Sequence, residues 1–88
     1  MDEEQSLFEG LKNRLNEYTW PGFYLFKFIV PVDKIEEVVH FFNGSEYSTK
    51  ESKHGRYMAL TSNVFMSGPE QIIEIYIKAS RIKGVISL

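Results

Sequence analysis

The chain carries two histidines, His40 and His54, and no cysteine. Imidazole and carboxylate are then its only strong ligands for a transition metal, and such a site needs several of them to converge. The two histidines flank a stretch that reads as an extended strand. About eight residues at about 3.3 Å each set them about 26 Å apart, too far to share an ion. Each reads as a solvated side chain, and Glu36 with His40 is an ordinary i, i+4 pair on a helix surface. The absence of cysteine also excludes a disulfide framework and a thiolate nucleophile. Serines and acids are present, but no spacing resembles a nucleophile elbow or a triad. The glycines stand singly, so none forms a phosphate-cradling loop. Glu36 and Glu37 are adjacent on a helix and point apart. The sequence therefore predicts no catalytic residue, no metal and no cofactor, and a non-enzymatic protein.

Two constellations suit binding. Lys53, His54 and Arg56 cluster in a hairpin, and the helix expected after Pro31 aims its first backbone N–H groups at the same end of the molecule, with Asp33 at its cap. That combination suits a carboxylate or another small anion. The alternative is a capped helix beside a solvated basic hairpin, and the carboxylate of Asp33 itself opposes an anion. The second constellation is apolar: Phe23, Leu25, Ile29, Tyr57 and Phe65 share one parity of the expected strands. Aromatics on a bare sheet face are how RNA-recognition domains stack bases. Against RNA, the chain has 10 Lys and Arg against 12 Asp and Glu, for a net charge of −2. Ala59 also stands where a second stacking aromatic is wanted.

The elements that must position these residues are legible from periodicity. Residues 2–17 form an amphipathic helix, with Leu7, Leu11 and Leu15 at i, i+4, i+8 and Phe8 beside them. Trp20-Pro21-Gly22 ends it. Residues 23–30 are aromatic and β-branched around the single charge of Lys27, a strand with Tyr24, Phe26, Phe28 and Val30 toward the core. Pro31 closes it, since proline cannot donate to a ladder. Asp33-Lys34-Ile35-Glu36 opens a helix with Ile35, Val38, Val39 and Phe42 as its stripe, stopped by Asn43-Gly44. Residues 46–52 suit an edge strand, Lys53-His54-Gly55 a turn, and 56–66 a long strand with Met58, Leu60, Ser62, Val64 and Met66 on one face. Ser67-Gly68-Pro69-Glu70 reads as a capping box with Ser67 at the cap. The helix after it presents Ile72, Ile73, Tyr76, Ile77 and Ser80 and ends at Gly84. Residues 85–88 make a last strand. A chain of 88 residues that is 43% hydrophobic supports one core. The order βαββαβ predicts an α+β ferredoxin-like sandwich over 23–88: a four-stranded antiparallel sheet, order 4-1-3-2, with two helices on one face. Residues 1–22 add an N-terminal helix and linker.

The residues resemble those of YbeD-like proteins, a family of small bacterial proteins of unknown function. The likeness rests on Trp20-Pro21, Phe26-Lys27, Gly55-Arg56-Tyr57, Glu70-Gln71-Ile72 with Ile75-Tyr76, and Val85-Ile86, in that order and spacing over 20–88. It implies the ferredoxin-like sandwich, kin to ACT-type ligand-sensing domains, and a regulatory role that for some members is labelled lipoic-acid binding. It implies no catalytic residues. Val30-Pro31 stands where the family carries a glycine soon after its Phe-Lys, and the helix at 2–17 lies outside the likeness.

A soluble monomer seldom leaves an apolar patch such as Phe23, Leu25, Ile29, Tyr57 and Phe65 bare. The helix at 2–17, a second copy or a partner protein is expected to cover it. The expected function is a regulatory or binding module for a small carboxylate such as lipoate or for a protein, with RNA binding on the open face as the alternative. No apolar run nears the roughly 18 residues of a membrane span. The acidic start Met1-Asp2-Glu3-Glu4 is unlike a secretory leader, so the cytoplasm is the expected compartment.

Overall fold

A computed structural model describes residues 8–88. The elements run α1 (Glu9–Leu15), β1 (Gly22–Pro31), α2 (a helical stretch Ile35–Val39 flanked by 3₁₀ turns Val32–Lys34 and His40–Phe42), β2 (Ser48–Glu51), β3 (Tyr57–Met66), α3 (Pro69–Ser80) and β4 (Ile86–Ser87). The four strands form one antiparallel sheet in the order β2-β3-β1-β4, which read from the other edge is 4-1-3-2. β1 and β3 pair over their full length, from Gly22 opposite Met66 to Pro31 opposite Tyr57.

Strand alternation sorts the sheet as its sequence demands. Phe26, Phe28 and Val30 of β1 and Leu60, Ser62, Val64 and Met66 of β3 are buried beneath the helices. Phe26 and Phe28 meet Phe42 from α2 and Tyr76 from α3 in a four-ring cluster, with centroid separations from 5.6 to 6.3 Å. Ser62 is the buried polar residue among them, and its hydroxyl donates to the Glu46 carbonyl at 2.7 Å. That bond removes the cost of burying a hydroxyl and pins the segment entering β2.

Three elements depart from expectation. Within the described residues the first helix is only Glu9–Leu15, and Leu7 lies outside them. It does not lie on the open sheet face. Phe8 stacks on Tyr76 at 6.2 Å, Lys12 reaches Glu70 at 3.6 Å, and Leu15 is buried in the main core, so α1 joins the helical layer beside α3. A short linker through Trp20 joins α1 to β1, and Phe8 at the other end of the helix stacks on Tyr76, the partner of Tyr24. The Trp20 indole N–H donates to the Leu15 carbonyl at 2.8 Å, closing the C-terminal end of α1.

The second departure is the start of α2. No side chain caps it, and Asp33 lies in a 3₁₀ turn rather than capping an α-helix. The third concerns α3, whose cap residue is Gly68. No capping box forms: the Gln71 side chain reaches past the cap, its Oε1 accepting the Ser67 N–H at 2.8 Å, and Glu70 pairs with Lys12. The buried stripe of α3 is Ile72, Ile73, Ile75, Tyr76 and Ala79. Ser80 turns outward and bonds its own helix at the Ile77 carbonyl.

Candidate functional site

β1 and β3 run antiparallel without a bulge, so every second residue of each lies on the face opposite the helices. The register arranges that face in rows. Phe23 stands beside Phe65, Leu25 beside Asn63, Lys27 beside Thr61 and Ser48, Ile29 beside Ala59, Lys50 and Ile86, and Pro31 beside Tyr57. Phe23 is 67% exposed, Phe65 57%, Leu25 49% and Tyr57 41%, while Ile29 is half-buried. The five expected residues do share one face, yet they do not form one patch. Phe23, Leu25 and Phe65 cluster at one end, where the two rings meet edge to face at 5.3 Å. Ile29, Ile86 and Tyr57 occupy the other end. The polar row Lys27–Thr61–Ser48 separates them. Lys27 and Lys50 are the charged strand residues of this face.

The basic hairpin is built by Gly55, which adopts a φ of 70° that side chains disfavour. Its N–H donates to the Ser52 carbonyl at 3.0 Å, and the Ser52 hydroxyl accepts the Tyr57 N–H at 3.2 Å. The Val32 N–H donates to the Arg56 carbonyl at 3.0 Å, which brings the turn carrying Asp33 against the hairpin carrying Lys53, His54 and Arg56. Acidic charge is present here as well as basic. Besides Asp33, the Glu51 carboxylate folds over the turn, 3.1 Å from where a Cβ on Gly55 would stand. The helical stretch behind it has only five residues, so its dipole is weak.

His40 lies in the last turn of α2 and His54 in the hairpin beyond β2, and no group of three or more metal-ligating side chains gathers among the described residues. His40 instead borders a shallow groove of about 190 Å³ between α2 and α3. Gln71, Glu74 and Lys78 line its wall, and Met66 and Ile75 its floor. Glu74 and Lys78 already pair at 2.9 Å.

A polar pair that periodicity did not reveal sits under α1. The hydroxyls of Tyr24 and Tyr76 are 2.8 Å apart, and Phe8 covers Tyr76. Burial, reinforced by the bond to Tyr24, pushes the Tyr76 hydroxyl far above the usual phenol range and keeps it protonated. Periodicity set both side chains toward the core, Tyr24 on the parity of Phe26 and Tyr76 in its helix stripe, but not their contact.

No helix of the described residues is long and apolar enough to cross a membrane. Compared with known proteins, the chain matches no protein-family model, no curated protein and no solved structure. The YbeD-like resemblance stands on its short motifs alone.

Proposed function

We propose that the chain is a non-enzymatic binding module, ferredoxin-like in fold and YbeD-like in kind, whose working surface is the open face of its sheet. The observation that carries this reading is the bare Phe23–Phe65 pair with Leu25. The helix available to cover it packs on the opposite layer, and apolar clusters left open on small proteins mark interaction sites. The fold assignment draws support from the sheet order and from helices between β1 and β2 and between β3 and β4. The preferred partner is a protein surface.

RNA is the second reading, favoured by Lys27 and Lys50 on the same face. The central positions Ala59 and Thr61 offer no ring to a base, and the rings present lie at the two ends of the sheet. A small carboxylate ligand at Asp33, Lys53, His54 and Arg56 draws on the Val32–Arg56 bond that joins those segments.

An amide-resolved NMR titration tests the three readings. With rising protein concentration, shifts are expected at Phe23, Leu25, Asn63 and Phe65. Lipoate, acetate and phosphate are expected to leave residues 31–34 and 53–56 unmoved, and a random RNA at low salt to leave the face unmoved. Shifts confined to the hairpin on adding lipoate, or saturable shifts on adding RNA, would overturn the protein-docking reading.

A further inference from the structure

We propose that the open face of the sheet is the docking surface for an acidic amphipathic helix of another protein, which sets its carboxylates on Lys27 and Lys50 and its apolar side chains on the rings at the two ends. The proposal rests on the reading of this face as the working surface and names the chemistry and shape of the partner.

The charge of the face runs against the charge of the chain. The sequence holds 12 Asp and Glu against 10 Lys and Arg. The strand positions that share the open face nevertheless carry Lys27 and Lys50 and no acid. Glu51 is the one carboxylate in a strand, and it pairs with Met58 on the side of the helices. Both lysines are exposed, and among the described residues neither meets a carboxylate. A neutral or basic partner would cover two unpaired ammonium groups at a cost, whereas an acidic one pairs them.

The shape of the face follows from β3, which runs between β1 and β2. Its outward side chains are rings at the ends, Phe65 and Tyr57, with the small Ala59 and Thr61 between. The low middle admits a cylinder laid along β3, with Lys27 of β1 on one flank and Lys50 of β2 on the other. Phe65 and Tyr57 stand about 26 Å apart along the strand, a length that a helix of about 17 residues spans. The rows of Lys27 and Lys50 fall about 13 Å and about 20 Å from Phe65, so the carboxylates belong in the central and following turns. Phe23 and Phe65, meeting at 5.3 Å, receive the apolar residues of one end, and Ile29 and Tyr57 those of the other.

The conformation of the partner follows from what the face lacks. β1 and β3 bond to each other over their full length, so the face offers side chains and no backbone groups. An extended segment laid on it would leave its own N–H and C=O groups without partners. A helix satisfies them internally, as the helices on the other face of the same sheet do.

Amide-resolved NMR tests the proposal, at a dilution where shifts with protein concentration have vanished. Two synthetic helix-forming peptides of about 17 residues are compared. Both carry phenylalanine and leucine toward each end of one helical stripe. One carries glutamates in the middle, and the other glutamines in the same places. The glutamate peptide is expected to shift Phe23, Lys27, Thr61 and Phe65 saturably. It should bind about fivefold tighter than the glutamine peptide, an advantage that added salt removes. Lys27→Gln with Lys50→Gln should bind the two peptides alike, and Phe65→Ser should weaken both. If the lysine variant fails to fold, the peptide pair and the salt series on the unaltered chain decide. Equal binding of the two peptides at this face would overturn the acidic partner while leaving the working surface standing. So would a face that responds to protein concentration and to neither peptide. Shifts at Leu25 and Lys27 in the dilute, peptide-free chain on Asp2→Asn with Glu3→Gln and Glu4→Gln would overturn the proposal by assigning the lysines to the chain's own acidic start. Saturation of the same amides by a random RNA at the same salt would overturn both readings. A face silent to both peptides and at every protein concentration would overturn them together.

Discussion

Leu60 stands at the middle of β3, between Phe28 of β1 and Thr49 of β2, and is wholly buried. Truncating it leaves a cavity that the rings of Phe26, Phe28 and Phe42 cannot collapse into without leaving their packed arrangement. Leu60→Ala should cost about 2–5 kcal/mol in denaturant unfolding. Tyr24 and Tyr76 pose a different residue-scale problem, because each hydroxyl is the other's partner. Tyr24→Phe alone leaves a buried hydroxyl unsatisfied and should cost about 1–3 kcal/mol, whereas Tyr24→Phe with Tyr76→Phe should cost less than the two single changes added. The pair also sets an alkaline limit. Tyr76 is raised above its unfolded value of about 10, so the stability it contributes is fully present below that pH. As the pH rises from there toward the folded-state value, the unfolded chain ionises while the buried hydroxyl resists, and stability falls. Unfolding free energies measured across alkaline pH should show that decline in the unaltered chain and a shallower one in Tyr76→Phe.

Between elements, the connections decide what periodicity cannot. Gly84 joins α3 to β4 at a φ of 88°, and a Cβ there would stand 2.8 Å from the ring of Pro31. Gly84→Ala should therefore cost about 1–2 kcal/mol from the backbone alone and more from the clash, read as a lower midpoint of thermal unfolding. β1 and β3 were legible because alternation is local: Lys27 fixed the parity of one, and Leu60 and Val64 that of the other. α3 was drawn too narrowly, since Ile75 and Ala79 are buried only where neighbouring elements pack around the helix. Its cap stands at Gly68, one residue after the expected Ser67, with Gln71 bonded to the Ser67 N–H and Glu70 turned to Lys12 of α1. α2 was expected as one helix and came as a short α-helical stretch between 3₁₀ turns, its start held by the Val32–Arg56 bond. The candidate face was legible by parity as a set of residues but not as a surface. The polar row that divides it needs the pairing of Ser48 with Thr61 and Thr61 with Lys27, which no local pattern encodes.

At the scale of the whole molecule, the two faces of the sheet are held by different means. One face is covered by three helices that share a single core with it, and the other is covered by nothing among the described residues. α1 therefore acts as part of the core rather than as a removable cover for the open face. It brings Leu15, fully buried, and Phe8 and Leu11, partly buried, against the margin that holds Tyr24 and Tyr76. A helix of seven residues is too short to persist in water unaided, so its order depends on that contact. The contact works in the other direction too, since Phe8 shields the Tyr76 ring and Trp20 fixes the helix end to the strand that follows. Deleting residues 1–17 should then lower the unfolding free energy by about 3 kcal/mol or more, the burial of roughly two large apolar side chains. It should also raise the exchange rate of the Tyr76 amide and bring the Tyr76 hydroxyl back toward the ordinary phenol range. The open face should be indifferent to the deletion: shifts at Asn63 and Phe65 should stay small, and self-association of the chain that remains folded should persist. A truncated chain of unchanged stability would place α1 outside the core, and strong shifts across Phe23, Leu25 and Phe65 would place it over the open face instead.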